Sequence, residues 1–250
     1  MEVINQPRFE LARGDAVTWL RTLPAGSVDL VITDPPYESL EKHRAIGTTT
    51  RLKHSKASSN DWFSIFPNTR FPELFAEVYR VMKKNTHFYL FCDPETMFVA
   101  KPLAEEAGFK FWKPLIWKKD RIGMGYHYRA IYECVLFFEK GKRKLNNLGV
   151  SDVIEAPRVV GGYPAEKPPQ VSEVLVKQSS LPGELAIDPF MGSGSAGVAA
   201  TRLGRCFLGN DLCAEAIDIT RKRLLEIGAH EGIAKRDEAA VSSGPQLGLL

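Results

Sequence analysis

Short apolar runs bounded by turn-forming residues alternate along the chain with stretches in which apolar residues recur every three or four positions. The short runs predict strands at 28–33, 87–92, 113–117, 132–138, 184–187 and 206–209. The helical spacing predicts helices at 16–23, 71–82, 95–107, 169–178, 194–203 and 215–227. In the last of these, Ala216, Ile217, Thr220, Leu224 and Ile227 share one face, while Arg221, Lys222 and Arg223 fall largely outside it. Strands that alternate with helices in this way predict an α/β fold built on a mostly parallel sheet.

Two stretches depart from the pattern. Residues 38–60 are polar and carry Lys42, Arg44, Arg51, Lys53 and Lys56 against Glu38 and Glu41. A loop of that length inside a compact domain is usually functional or mobile, and an inserted mobile loop is the expectation, with Lys42, Arg44, Arg51 and Lys53 as candidate contacts to a polyanion. Residues 229–250 are rich in Ala, Ser and Gly and read as a flexible C-terminal tail. The 250 residues sit near the limit at which chains divide into domains, roughly 250, so a single domain over 1–228 is expected.

Composition narrows the class. Hydrophobic residues at 44% and charged residues at 25% are ordinary globular values, and they exclude collagen-like and disordered chains. No apolar run approaches the ~20 residues of a membrane-spanning helix, and the first residues lack a signal-peptide pattern. A cytoplasmic, non-membrane protein is expected. Cys92, Cys134, Cys206 and Cys213 form no Cys-x-x-Cys pair and have no accompanying His cluster, so neither a metal site nor a disulfide framework is expected. The net charge of +3 says little by itself, but its distribution says more. Residues 110–144 hold ten Lys/Arg against three acids, interleaved with Phe111, Trp112, Trp117, Tyr126 and Tyr128. Basic residues mixed with aromatics suit phosphate contact and base stacking, which marks Lys118, Lys119, Arg121, Tyr126 and Arg129 as candidate DNA-binding residues.

Two motifs carry candidate chemistry. Leu185-Ala186-Ile187-Asp188 is a predicted strand running into Pro189-Phe190-Met191-Gly192-Ser193-Gly194-Ser195-Ala196-Gly197. Gly192, Gly194 and Gly197 satisfy Gly-x-Gly-x-x-Gly, and Asp211 follows at the end of the next strand. This is the layout of a nucleotide cofactor site in which a carboxylate binds ribose hydroxyls. The glycines are expected to let the backbone approach the ligand. The spacing alone is compatible with a nicotinamide dinucleotide, but Asp188 would repel a pyrophosphate. A cofactor with a positive centre, an amino group and no phosphates, such as S-adenosyl-L-methionine, suits that position better.

The second motif, Asp34-Pro35-Pro36-Tyr37, directly follows the strand at 28–33. Ligands of open α/β sheets bind beyond the carboxyl ends of the strands. The two prolines stiffen the backbone and remove two N–H donors. Asp34 and the Pro35 carbonyl can then accept hydrogen bonds from the amine of a flat ring, on which Tyr37 can stack.

Taken together, Thr33-Asp34-Pro35-Pro36-Tyr37 and Asp188-Pro189-Phe190-Met191-Gly192-Ser193-Gly194 resemble the motifs of S-adenosylmethionine-dependent DNA amino-methyltransferases. The order, with the tetrapeptide ahead of the cofactor motif, is similar to the circularly permuted β-class. The likeness runs from Gly14-Asp15 to about Leu225 and implies a Rossmann-like sheet with helices on both faces. It implies catalytic roles for Asp34, Pro35, Pro36 and Tyr37, and cofactor-binding roles for Asp15, Lys167, Asp188, Phe190, Gly192, Gly194, Ser195 and Asp211. Tyr163-Pro164-Ala165-Glu166-Lys167-Pro168 resembles a His-Pro-Thr-x-Lys-Pro segment of the family, with Tyr163 and Ala165 in place of its His and Thr.

The resemblance implies that an adenine flipped out of double-stranded DNA is methylated at N6, since Asp at the first tetrapeptide position is commoner in adenine enzymes and Ser in cytosine-N4 enzymes. Cytosine N4 is the alternative, followed by RNA or protein-glutamine methylation. A nicotinamide oxidoreductase and a non-catalytic DNA-binding module are the readings from other classes. The family's recognition region would lie between the last core strand and the Lys-Pro segment, where Gly141 to Gly161 is too short for a separate domain. Sequence reading is therefore expected from 38–60, from 118–129 within a short recognition region of about 118–161, or from the second subunit of a homodimer. The C-terminal Gln246, Leu247, Leu249 and Leu250 resemble the short peptide with which bacterial replication proteins dock on the sliding clamp.

Overall fold

A computed structural model of the chain describes residues 7–38, 64–123, 128–161, 163 and 165–232. Within them, nine strands form one sheet in the order β6-β4-β5-β3-β2-β7-β8-β1-β9. The strands are β1 (Arg8–Arg13), β2 (Val28–Thr33), β3 (Met82–Cys92), β4 (Lys110–Lys118), β5 (Tyr132–Lys140), β6 (Val153–Glu155), β7 (Leu185–Asp188), β8 (Cys206–Asp211) and β9 (His230–Glu231). The α-helices are α1 (Ala16–Thr22), α2 (Phe71–Val81), α3 (Pro94–Glu106), α4 (Pro169–Ser179), α5 (Ser195–Arg202) and α6 (Ala214–Glu226). The α/β class, the mostly parallel sheet and the permuted order agree with the expectation from sequence. Among the described residues no helix is long and apolar enough to cross a membrane.

Both faces of the sheet are covered. On β2, Leu30 and Ile32 enter one core with α4, α5 and α6, through Val171, Leu175, Val198, Ile217 and Leu224. Val28 and Val31 enter the opposite core with α1, α2 and α3, through Val17, Leu20, Phe71, Leu74, Ala100 and Ala104. The same alternation recurs on β3, where Tyr89 and Phe91 face the first core and Phe88 and Leu90 the second. A strand buried on both sides reads as a continuous apolar run, which is why 28–33 was legible as a strand to the residue.

Local chemistry starts the helices. The Asp15 carboxylate accepts from the Thr18 N–H at 3.0 Å and caps α1, and Asp93 accepts from the Thr96 N–H at 2.7 Å and caps α3. Phe71, Leu74, Phe75, Val78 and Val81 form the buried stripe of α2.

Three strands were not anticipated: β1, β6 and β9. Each lies toward a sheet edge and buries few side chains; in β1 only Phe9 is buried, opposite Phe207 of β8. Their stability comes from ladder pairing with distant strands, which leaves little local apolar signature. β3 also starts five residues earlier than its apolar run, because Lys83, Lys84 and Asn85 are polar members of the strand.

One departure from parallel pairing shapes the functional end. β5 runs antiparallel to both β3 and β4. Its first residues therefore lie at the edge where the other strands end.

Candidate functional site

β2 and β7 are neighbours, with Leu30 opposite Ala186 and Val31 opposite Ile187. Residues 155 apart in sequence thus emerge side by side: Thr33 Oγ1 donates to Asp188 Oδ1 at 2.7 Å. Beyond these strand ends lies a cavity of about 510 Å³. The tetrapeptide Asp34–Tyr37, Asp15, Lys167, Asp188, Phe190, Gly192, Ser195 and Asp211 all line it, and such a volume suits a cofactor-sized molecule.

Asp34 is held from two sides. The Tyr37 hydroxyl donates to its Oδ1 and the Lys167 ammonium donates to its Oδ2. Tyr37 is buried, and burial together with the Asp34 charge raises its phenol well above the usual range, so it remains a hydrogen-bond donor. The Phe66 N–H donates to the Pro36 carbonyl at 2.8 Å. Among the described residues none donates to the Pro35 carbonyl.

Lys167 reaches Asp34 because its segment is fastened to the glycine turn. Ser195 Oγ donates to the Lys167 carbonyl at 2.5 Å, while Arg223 pairs with Glu166 at 2.9 Å and donates to the Ser193 carbonyl at 2.6 Å. The side chain is 14% exposed. Burial alone would lower its pKa, but Asp34 and Glu133 outweigh that and raise it, so it is an ammonium.

In the glycine turn, the glycines are required for packing as much as for ligand approach. A Cβ on Gly194, whose φ is +76°, would lie 2.4 Å from Thr220 Cγ2, and one on Gly197 would lie 2.6 Å from the Phe207 ring. Only at Gly192, with φ +51°, would a Cβ meet nothing nearer than Tyr163 at 3.7 Å. Close ligand approach is thus an argument for Gly192, whereas Gly194 and Gly197 are explained by helix and strand contacts.

The turn is also a poor cradle for phosphates. The N–H groups of Phe190, Met191, Gly192 and Gly194 donate to Asp188 Oδ1, the Asn210 carbonyl, Asp211 Oδ2 and the Met191 carbonyl. They are already satisfied, and two of the acceptors are carboxylates. A pyrophosphate would find negative charge and few free donors. The donor set instead fits a diol beside Asp211 and cationic groups beside Asp188. Burial raises Asp188 to about 7 against the lowering hydrogen bonds from Thr33 and Phe190. Asp211 is raised in the same direction by burial. Asp15 goes the other way: Arg70 grips it with bonds of 2.7 and 3.1 Å and holds its carboxyl far below the usual range.

Phe66, Arg70 and Glu133 are among the cavity residues that lay outside the sequence-derived set. Phe66 packs edge-on against Phe190 at 5.0 Å, and Arg70 lies over the Phe66 ring at 5.1 Å. Glu133, at the start of β5, places Oε1 2.6 Å from Lys119 and Oε2 3.4 Å from Lys167. A carboxylate at the head of the apolar run 134–138 was the available signal for Glu133; Phe66 and Arg70 had none.

Of the candidate DNA-binding residues, Lys118 pairs with Glu155 at 2.7 Å and Lys119 with Glu133 at the cavity wall. The Arg121 side chain is 78% exposed and lies 3.5 Å from Asp120, and Arg129 Nε donates to the Gly123 carbonyl. Lys42, Arg44, Arg51, Lys53 and Tyr126 lie outside the described residues, as do Gln246, Leu247, Leu249 and Leu250. All four cysteines are free thiols, and among the described residues no group of three or more His, Cys, Asp or Glu could hold a metal ion.

Comparison with known proteins identifies the family. A family model of N6/N4 methyltransferases, described as DNA methylase, matches residues 28–161 and 151–222. The DNA adenine methyltransferase YhdJ of Escherichia coli (strain K12) is 27% identical over 261 residues, spanning 88% of this chain and 83% of that protein. The type II methyltransferase M.HpaI of Haemophilus parainfluenzae is 25% identical over 238 residues, spanning 84% of this chain and 72% of that protein. Among solved structures, the M1.HpyAVI–SAM complex superposes with a TM-score of 0.63 at 22% identity, over 86% of this chain and 99% of that one. PvuII DNA methyltransferase, cytosine-N4-specific, superposes with a TM-score of 0.67 at 16% identity, over 88% and 87%. At those identities the two structures speak for the fold.

Proposed function

The chain belongs to the N6/N4 DNA methylase family, whose members are S-adenosylmethionine-dependent DNA methyltransferases, and from that premise we propose that its target is adenine N6 in double-stranded DNA. The observation that carries the reading is Asp34, a carboxylate at the first tetrapeptide position, placed at the carboxyl end of β2 beside the cofactor-side Asp188. The similarity to an enzyme named for adenine methylation supports the choice of base.

The roles follow from the geometry. When bound, the cofactor supplies an electrophilic methyl group on a sulfonium sulfur. Asp211 holds the ribose hydroxyls, Asp188 the α-ammonium, and Phe190 with Phe66 the apolar wall near Asp15. The target base leaves the duplex and enters the cavity, at a cost of a few kcal/mol. Asp34 and the Pro35 carbonyl accept the two hydrogens of its exocyclic amine. This draws the nitrogen lone pair out of the ring and toward the methyl donor. Asp34 also balances the positive charge that grows on nitrogen, an effect worth about 3 kcal/mol. Tyr37 fixes the carboxylate while its ring lines the base pocket.

The test is methyl transfer from labelled cofactor to PCR-amplified, unmethylated genomic DNA, followed by nucleoside analysis, with Asp34→Ala as control. N6-methyldeoxyadenosine from the wild type alone supports the reading. N4-methyldeoxycytidine overturns the base assignment and keeps the fold and mechanism. Clamp docking through residues 246–250 is a separate proposal. A pull-down with the sliding clamp should lose binding when those five residues are removed.

A further inference from the structure

In the free enzyme the Asp34 Oδ2 already accepts from the Lys167 ammonium, whose charge offsets the carboxylate's and opposes the positive charge that grows on the target amine. Freeing the full carboxylate charge for the amine means moving the ammonium off Oδ2, and a buried cation needs a second carboxylate to move to. Glu133 supplies one. Its Oε2 stands 3.4 Å from Lys167 Nζ, just beyond the 2.7–2.9 Å of a charged hydrogen bond, while its Oε1 is fixed by Lys119 at 2.6 Å. Lys119 is in turn steadied by its backbone N–H bond to the Ile131 carbonyl at 2.7 Å, and its ammonium lies 5.0 Å from the Trp117 ring. The four charges Asp34, Lys167, Glu133 and Lys119 thus form a neutral row. The Lys167 backbone is pinned by Ser195, so moving its ammonium along the row needs only rotation of its side chain.

We propose that Glu133 is a positioning residue for methyl transfer: it is the second seat of the Lys167 ammonium, which guards Asp34 in the free enzyme and shifts to Glu133 when the target amine arrives. Two consequences are chemical. In the free enzyme, Lys167 neutralises Asp34 and keeps the site from trapping an adventitious cation. In the complex, the ammonium sits farther from the nitrogen that becomes positive, where it would otherwise oppose the charge. Glu133 and Lys119 belong to neither motif. They reach the site because β5 runs against its neighbours and because β4 ends where β5 begins.

The inference rests on the methyl-transfer reading of the site, and its test separates the two. Wild type, Glu133→Gln, Glu133→Asp and Glu133→Gln/Lys167→Met are assayed for total methyl label in the same amplified DNA, whichever base receives it. Cofactor affinity is measured in parallel by calorimetry. With Gln at 133, Lys167 has only Asp34 as a charged seat, so kcat should fall about tenfold or more with cofactor affinity and KM for DNA little changed. Glu133→Asp should restore part of kcat. Removing the guard in the double variant should restore at least part of what Glu133→Gln lost. A Glu133→Gln enzyme with wild-type kcat overturns the proposal, as does a double variant no faster than Glu133→Gln. A loss confined to KM for DNA also overturns it and makes Glu133 and Lys119 part of the DNA surface. No label in the wild type would instead sink the methyl-transfer reading itself.

Discussion

Thr33 Oγ1 donates to Asp188 Oδ1 at 2.7 Å, and this one hydrogen bond ties the strand that ends in the catalytic tetrapeptide to the strand that ends in the glycine turn. Both residues are buried. The same oxygen of Asp188 accepts from the Phe190 N–H at 3.0 Å. The cofactor side and the substrate side of the cavity therefore share one fixed point.

Thr33→Val keeps the shape and removes the donor. The Asp188 carboxyl loses one of the two influences that lower it and should rise further. Urea denaturation should show a loss of about 1–2 kcal/mol, as for an under-satisfied buried polar group, and cofactor affinity should fall. An unchanged midpoint and affinity would show that the bond contributes nothing.

Asp188 sets a pH dependence of unusual sign. Its folded pKa of about 7 lies above the unfolded carboxylate value of 3.8. Between those values the folded state binds more protons than the unfolded, so this group's contribution to stability falls as pH rises and levels off above about 7. In the cofactor-free protein, Asp188→Asn should flatten that part of the profile. It should raise Tm near pH 8 by about 2–4 °C, because its amide oxygen can still accept from Thr33 and Phe190. Cofactor affinity should drop in the same variant. A calorimetric scan at several pH values, with and without cofactor, checks both signs.

The Asp15–Arg70 pair behaves in the ordinary direction. Its carboxyl is held low mainly by the Arg70 hydrogen bonds, so its stabilisation is present above the unfolded pKa of about 4 and is lost as pH falls below it. Both side chains are 33% exposed. A double-mutant cycle with Asp15→Asn and Arg70→Met should therefore give a coupling of only about 0.5–1 kcal/mol at neutral pH, vanishing in strong acid. A coupling that persists at low pH would contradict the assignment.

The glycines of the turn should separate by variant. Gly194→Ala places a Cβ against Thr220 at positive φ and should cost about 2–3 kcal/mol in the cofactor-free protein. Gly192→Ala makes only an ordinary van der Waals contact with Tyr163 and should cost about 1 kcal/mol, from its φ. Its larger effect should be on cofactor binding. Equal losses of stability in the two variants would contradict the packing argument.

Much of this was legible beforehand, for stated reasons. The six strands and six helices inferred from apolar spacing all appear. β2 matches to the residue because both its faces are buried, and α2 matches to within one residue because its apolar stripe is regular. The two motifs stood out because prolines and glycines mark special backbone, and their shared cavity follows from strands that end at one edge of the sheet. What spacing could not show was direction. The expected role for Lys167 lay with the cofactor, but its ammonium points to Asp34, 133 residues away. Phe66 and Arg70 line the site from a segment without any motif, and the short edge strands left no apolar signature.

The sequence by itself determined six strands and six helices in order, the α/β class and the two places where backbone geometry is special, because periodicity, capping and turn chemistry act over a few residues. Tertiary structure alone decided that β7 lies beside β2, that β5 runs backwards and carries Glu133 to the cavity, and that Asp34 shares a lysine with Glu133. Those outcomes depend on which distant strands exchange hydrogen bonds and which buried charges must find partners. Both are settled by the packing of the whole chain.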